Sequence, residues 1–228
     1  MQLFITDFEK KWNNISIQNK EILDQVRKVL RMKIWDHIFV QQENIRYQIE
    51  ISDRDDKNLY WNILDTTKYE WNESKDWILI ALSNKRDKIE LITQKLTEIW
   101  IKHIYFRPSE RSIIRERNDK KLERIQKIAK EAVEQSRWRF LPEIQFTKDI
   151  SEIIKNREII VFDKSEWKAE NLKWHTPVLW IIGPEWWLTP NDYKSFWNDI
   201  KTVSLGDTVL RTETASIIAA RNIINNKI

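Results

Sequence analysis

The sequence predicts an α/β protein in two parts, a β-rich N-terminal barrel followed by a larger domain in which strands and helices alternate. Three observations carry that prediction. Residues 1–72 hold segments in which apolar and polar residues alternate strictly, residues 73–228 hold short runs apolar on both faces, and amphipathic stretches of helical period separate those runs. At 228 residues the chain can give each part a core of its own.

A helix from about Asn19 to Leu30 interrupts the β-rich first part and carries Ile22, Val26 and Val29 on one face. His37-Ile38-Phe39-Val40 reads as a short strand. Ile45, Tyr47, Ile49 and Ile51 alternate with Arg46, Gln48 and Glu50, and Leu59, Trp61 and Ile63 repeat the pattern. Such strands with one buried face, and a single helix, suit a small, partly open barrel. The pattern changes at residues 70–76. The runs Ile78–Leu82, Ile104–Phe106, Ile159–Phe162, Val178–Ile182 and Val203–Leu205 then read as strands covered by helices on both sides. Ile89, Ile92, Leu96 and Ile99 stripe one helix, and Leu122, Ile125, Ala129, Ala132 and Val133 a second. Thr189-Pro190-Asn191-Asp192 starts a third, with Thr at the N-cap, Pro in the first turn and an acid three residues on. The last begins near Thr212 and runs through Ala215, Ile218 and Ala219.

Composition narrows the function classes. The absence of cysteine excludes a disulfide scaffold and a thiolate metal site, and the three scattered histidines, His37, His103 and His175, make no metal-ligating set. There is no run of 18 apolar residues, and MQLFITDFEKKW lacks a signal-peptide layout, so the expectation is a soluble cytoplasmic protein with no membrane or metal partner. With 39 basic and 35 acidic residues, the net charge of +4 permits an RNA partner without requiring one. Two glycines, Gly183 and Gly206, stand against 13 tryptophans, where ordinary usage gives roughly 16 glycines. Tryptophan precedes Asn or Asp at Trp12, Trp35, Trp61, Trp71 and Trp197, places where turn chemistry favours glycine. We read many of these positions as glycines in the native organism, from a codon translated differently there.

No Ser-His-Asp order, Walker loop, HExxH or CxxC is present. Two loops stand out instead, each after a buried strand and each holding one of the two glycines: Ile181-Ile182-Gly183-Pro184-Glu185-Trp186-Trp187-Leu188-Thr189-Pro190, and Val203-Ser204-Leu205-Gly206-Asp207-Thr208-Val209-Leu210-Arg211-Thr212-Glu213-Thr214-Ala215. Loops at the carboxyl ends of strands in an α/β sheet are where ligands bind, and glycine there lets backbone approach the ligand.

The first loop resembles the IGPEGG motif, and the second the SLGxxILRTETA motif, of the ribosomal small subunit methyltransferase E family, 16S rRNA uridine-N3 methyltransferases of the knotted SPOUT superfamily. Upstream, Asp87-Lys88-Ile89-Glu90-Leu91-Ile92-Thr93-Gln94-Lys95-Leu96-Thr97-Glu98 resembles the family's DKMELVVQKATEL, and Ser109-Glu110-Arg111-Ser112 its SERS. Lys121-Leu122-Glu123-Arg124 with Ala132-Val133-Glu134-Gln135-Ser136 resembles KLERW…EAAEQS, and Val29-Leu30-Arg31-Met32-Lys33-Ile34-Trp35-Asp36 resembles VLRLKVGD. The resemblance therefore covers nearly the whole chain. Trp35, Trp100, Trp186 and Trp187 stand where the family pattern has glycine.

The resemblance implies a PUA-like RNA-binding barrel over residues 1–72 and a SPOUT methyltransferase domain with a C-terminal trefoil knot over residues 73–228. It implies S-adenosylmethionine (SAM) as cofactor, held by Ile182, Gly183, Pro184, Glu185, Trp186, Trp187, Leu205, Gly206, Val209, Leu210, Thr212 and Glu213. It further implies a homodimer, with methyl transfer to N3 of a uridine in 16S rRNA of the small ribosomal subunit. Arg211, at the mouth of the last helix, is the candidate catalytic residue, because a fixed guanidinium can orient the base or stabilise a uracil anion. Arg27, Arg31 and Lys33 in the barrel, with Lys85, Arg111, Arg137 and Arg139 expected beside the second domain's loops, are the RNA-binding candidates. The alternatives are a degenerate, non-catalytic RNA-binding member of the superfamily and a ribose 2′-O-methyltransferase.

Overall fold

The computed structural model describes residues 1–54, 59–70, 76–83, 85–110, 119–163, 177–184, 188–196 and 199–225. Glu185, Trp186, Trp187, Arg111 and His175 lie outside the described residues. The chain divides into two compact units, Met1–Asn72 with Val133–Phe140, and Glu73–Ala132 with Leu141–Ile228. The sequence reading keeps 133–140 with the second part; in the structure this segment packs with the first.

In the first unit, β1 (Leu3–Ile5), β2 (Glu9–Lys11), β3 (Asn14–Ser16), β4 (His37–Gln42), β5 (Ile45–Arg54) and β6 (Leu59–Lys68) form one sheet. Its order is β1-β4-β5-β6-β3-β2, with β1 parallel to β4 and the other pairs antiparallel. Among the described residues no pairing joins β1 to β2, so the expected barrel is not closed. Both ends of the sheet are three-residue strands, and β2 is Glu-Lys-Lys, fully exposed, with no apolar face to bury against a closing partner. The expected helix appears as α1 (Lys20–Asp24) running into a π-helical turn, Gln25–Val29. It starts where it does because the Asn19 side chain accepts the N–H groups of Glu21 and Ile22. Ile22 and Val26 from this helix close a core with Phe4, Ile38, Ile49, Ile51 and Trp61.

Three tryptophans occupy positions that turn geometry reserves for glycine. Trp12 has φ 55° and is the first central residue of the two-residue hairpin joining β2 to β3, the glycine position of a type II′ turn. Trp35 has φ 76° and is the third residue of a turn closed by Asp36 N–H to the Lys33 carbonyl at 3.0 Å, the glycine position of a type II turn. Trp100 has φ 77° and follows α2 (Arg86–Glu98). There, the Ile101 and Trp100 N–H groups donate to the Leu96 and Thr97 carbonyls, the two bonds of a Schellman motif with glycine's place at Trp100. Their exposures of 97%, 70% and 46% fit residues that no core selects. Trp61 is the opposite case. It lies within β6, the strand expected from the alternation of Leu59, Trp61 and Ile63, paired with Ile15 and Ile51 and only 1% exposed, so the glycine reading of Trp61 finds no turn there.

The second unit is built on a wholly parallel sheet. Its strands are β7 (Asp76–Ala81), β8 (His103–Arg107), β9 (Glu143–Phe146), β10 (Glu158–Phe162), β11 (Val178–Ile182) and β12 (Ile200–Val203), in the order β12-β10-β11-β7-β8-β9. The helices are α2, α3 (Asp119–Ser136), α4 (Ser151–Ile154), α5 (Pro190–Lys194) and α6 (Thr212–Asn225). Period-two sorting explains why the strands are apolar on both faces. Ile78, Ile80, Ile104, Phe106, Trp180 and Ile182 pack with α2, α3 and α6 on one side. Leu79, Tyr105, Ile159, Val161, Leu179 and Ile181 pack with α4 and the α5 region on the other. The last strand ends at Val203 rather than Leu205, so Ser204 and Leu205 belong to the loop after it. β9 and α4, at four residues each, are too short to leave a periodic signature and were not expected.

Candidate functional site

The site lies at the carboxyl ends of β10, β11 and β12, where the order of a parallel sheet departs from chain order and a crevice opens. Both glycine loops reach it. Of the predicted cofactor residues, Ile182, Gly183, Pro184, Leu205, Gly206, Val209, Leu210 and Thr212 line one pocket. Phe162, Asp163, Leu188, Ser204, Asp207, Thr208 and Ala215 are its other described lining residues; five of them lie in the two loops already singled out, and only Phe162 and Asp163 fall outside the sequence reading of the site. Asp163 was discoverable, since it directly ends the buried run Ile159–Phe162; without a glycine beside it the loop drew no notice.

Each loop is held locally. Gly206 has φ +129°, a conformation open to glycine alone, and Ser204 holds it in place: the Gly206 N–H donates to Ser204 Oγ at 3.1 Å, while that hydroxyl donates to the Gly206 carbonyl at 2.8 Å. At Gly183 space is the constraint, because a Cβ there would stand 3.2 Å from Leu188 Cγ. Buried Thr212 joins the loops by donating from Oγ1 to the Gly183 carbonyl at 3.4 Å. The far end of the first loop is fixed by the capping box of α5, in which Thr189 Oγ1 accepts the Asp192 N–H and Asp192 Oδ2 accepts the Thr189 N–H. Asp192 Oδ1 also accepts the Glu110 N–H at 3.0 Å, and Thr189 Oγ1 and Asn191 Nδ2 approach the Glu110 carboxylate at 2.5 and 2.9 Å, so the Ser109-Glu110 segment is tied to the same turn.

The electrostatics separate the charged candidates. Tyr193 donates its hydroxyl to Asp163 Oδ2 at 2.5 Å; burial, and then that bond, raise the phenol well above the ordinary tyrosine range, so it remains a donor. Glu213 is paired with Lys88 of α2 at 3.1 Å, both side chains little exposed, and it does not line the pocket. Arg211 stands at the N-cap of α6, its carbonyl accepting the Ala215 N–H at 2.8 Å. Its side chain is exposed and takes no hydrogen bond or ion pair among the described residues. Lys85 is exposed in the second unit; Arg31 and Lys33 are exposed, and Arg27 half-buried, in the first. Arg137 and Arg139, expected beside the second domain's loops, belong to the first unit instead. Among the described residues no group of acidic or histidine side chains is arranged to hold a metal ion, and no helix is long and apolar enough to cross a membrane.

Residues 72–224 match the RNA methyltransferase domain family. The chain is 25% identical to ribosomal RNA small subunit methyltransferase E of Rickettsia conorii over 91% of this chain and 88% of that protein. It is 29% identical to the protein of the same name from Bacillus subtilis, over 59% of this chain and 60% of that one. Ribosomal RNA small subunit methyltransferase E from Neisseria gonorrhoeae, solved bound to S-adenosyl methionine, shares the fold with a TM-score of 0.81 at 21% identity, covering 99% of this chain and 97% of that one. The motif resemblance to ribosomal small subunit methyltransferase E is shown by these matches, and the chain belongs to the RNA methyltransferase domain family.

Proposed function

We propose that the chain is a SAM-dependent methyltransferase that modifies N3 of a uridine in 16S rRNA of the small ribosomal subunit. The observation that carries this reading is the pocket walled by both glycine loops at the ends of β10, β11 and β12. Its donor set fits the cofactor. Phe162, Leu188, Leu205 and Val209 offer apolar surface for a purine, backbone is bare at Gly183 and Gly206, and Asp163, Ser204 and Thr212 supply polar atoms for hydroxyl and ammonium groups. Ile182, Pro184 and Leu210 complete the cofactor set we propose, with Glu185, Trp186 and Trp187 from the first loop; Glu213, held by Lys88 outside the pocket, is left out of it.

When bound, SAM supplies an electrophilic methyl group on a sulfonium. What remains for the protein is to hold uracil N3 in line and favour the form that has lost its proton. Arg211 is suited to this. An exposed guanidinium with no partner in its own chain among the described residues is available to a uracil oxygen, and Glu213, its nearest acidic neighbour in sequence, is engaged by Lys88. A planar fork can both orient the base and stabilise negative charge spread over O2, N3 and O4. RNA phosphates fall to Arg27, Arg31, Lys33, Lys85, Arg111, Arg137 and Arg139. In this reading residues 1–72 are a PUA-like docking domain, residues 73–228 a SPOUT domain tied as a trefoil knot, and a homodimer in the cytoplasm completes the site.

The test is single-turnover transfer of a labelled methyl from SAM to small-subunit rRNA, followed by mapping of the modified atom. Methyl on uridine N3 is expected. A ribose 2′-O product would replace the substrate atom, and no transfer even with glycine at 186 and 187 would leave a non-catalytic RNA-binding protein. Light scattering at micromolar concentration tests the dimer.

A further inference from the structure

In the first unit Arg46 and Arg139 meet over the ring of Tyr69, and the Arg137 carbonyl is bound by Arg46. Arg46 lies on β5, one position into the alternating strand, and is held through its Nε and Nη2. Its Nε and Nη2 donate to Gln41 Oε1 at 3.0 and 2.9 Å, and Nη2 donates to the carbonyls of Arg137 and Trp138 at 3.2 and 2.6 Å. Gln41, itself buried, is locked in turn by donating to the Arg139 carbonyl at 2.8 Å. The guanidinium carbons of Arg46 and Arg139 stand 5.1 and 5.5 Å from the Tyr69 ring centroid, and Phe140 meets the same ring edge-on at 6.2 Å. None of the three arginines has an ion pair with a carboxylate among the described residues. The acid of the same segment, Glu134, turns to β1 and accepts the Ile5 N–H at 2.8 Å. Burial first, opposed by Tyr69 and reinforced by the charges of Arg139 and Arg137, lowers the Arg46 pKa.

Folding has thus spent neutral acceptors on one arginine and left two exposed beside it, a net positive site set on aromatic rings. We propose that Arg46, Arg137 and Arg139 with Tyr69 form a binding site for the phosphodiester backbone of RNA. Like charges gathered without a carboxylate are relieved by an oxyanion, guanidinium forks match phosphate oxygens, and the rings hold the forks in place. The site adds Arg46 and Tyr69 to the RNA contacts and makes a single unit of Arg137 and Arg139. It rests on the reading of the protein as acting on RNA.

The experiment is filter binding of transcribed small-subunit rRNA across a salt series, with the parent chain, R137G/R139Q and R139K. R137G also relieves a φ of 56° at Arg137, so that change does not threaten the fold, and matching urea midpoints verify it. Each lost phosphate contact flattens the plot of log K against log salt by about 0.7–0.9. R137G/R139Q is therefore expected to lose roughly 1.5 in slope and R139K to retain the parent slope. An unchanged slope in the double variant overturns the site while leaving the RNA reading intact. A parent chain that does not bind RNA overturns both. Binding to phosphatidylserine vesicles that falls in R137G/R139Q, while RNA binding holds, assigns the cluster to a lipid surface and also overturns it.

Discussion

Replacing Trp12, Trp35 and Trp100 together by glycine should stabilise the protein by about 2–4 kcal/mol. An L-residue held in the left-handed region costs roughly 1–2 kcal/mol, and these three sit there at φ 55°, 76° and 77°. Glycine returns part of that gain, because its unfolded chain is freer by about 0.4–1 kcal/mol. The indoles themselves contribute little where they are exposed, so Trp12 at 97% and Trp35 at 70% should give the full effect, and Trp100 at 46% the smallest. The three turns share no partners, so their effects should add. Trp12 and Trp35 lie in the first unit and Trp100 in the second, so urea melts followed by circular dichroism, recorded for each single variant and for the triple, will show where each gain falls. At about 2–4 °C per kcal/mol for a chain of this size, the triple variant should melt roughly 5–15 °C higher. Trp61→Gly is the contrasting control: removing an indole 1% exposed in the core should cost about 3–5 kcal/mol. A triple variant no more stable than its parent would refute the argument from turn geometry. The gene offers a second readout. Most of the 13 tryptophan codons should be UGA, Trp35, Trp100, Trp186 and Trp187 among them, and 13 UGG codons would end the glycine reading.

Changing Trp186 and Trp187 to glycine should create or strongly improve SAM affinity, measured by calorimetry on both versions, since two indoles fill space that bare backbone leaves to a ligand; equal affinities would show the written loop to be competent. Arg211→Lys should depress methyl transfer at least tenfold more than it depresses SAM binding, because charge is kept and only the planar fork is lost; parent-like turnover would remove Arg211 from the mechanism. Burial, opposed by Glu143, holds the His103 imidazole below its usual value of 6.5. The unfolded chain therefore takes up the proton more readily, so this group's contribution is complete above that value and declines as pH falls below it. H103F should consequently lose less stability than the parent between about pH 7 and pH 5, and equal losses in urea melts would show that His103 carries none of the effect.

The parts of the fold that were legible in the sequence are those governed by local periodicity. The alternation at Ile45–Ile51 and Leu59–Ile63 and the runs at Ile78, Ile104, Ile159 and Val178 became strands, because a side chain's face is fixed by its position in a period of two. The capping box at Thr189–Asp192 was readable because all its atoms lie within four residues. The glycine loops were visible for the same reason, and with them more than half of the pocket wall. The short strands β1, β2 and β3 leave no sequence signal, since three residues carry no period.

Beyond that range the sequence was silent or misleading. Trp61 precedes Asn62 as a turn glycine would, yet its strand pairs with β3 and β5 and places the indole inside a core. Arg137 and Arg139 read as neighbours of the second domain's loops, and instead Gln41 and Arg46, 98 and 91 residues earlier, take hold of their carbonyls. Asp163 meets Tyr193, and Glu213 meets Lys88, across gaps that no motif spans. Sequence by itself determined which segments are strands and helices, and which loops deserve attention, because short-range sterics and burial patterns act along the chain. Only the tertiary structure decided strand order, the open sheet, and which charges face one another, because those depend on contacts between residues far apart in sequence, where pairing and packing compete and one arrangement wins.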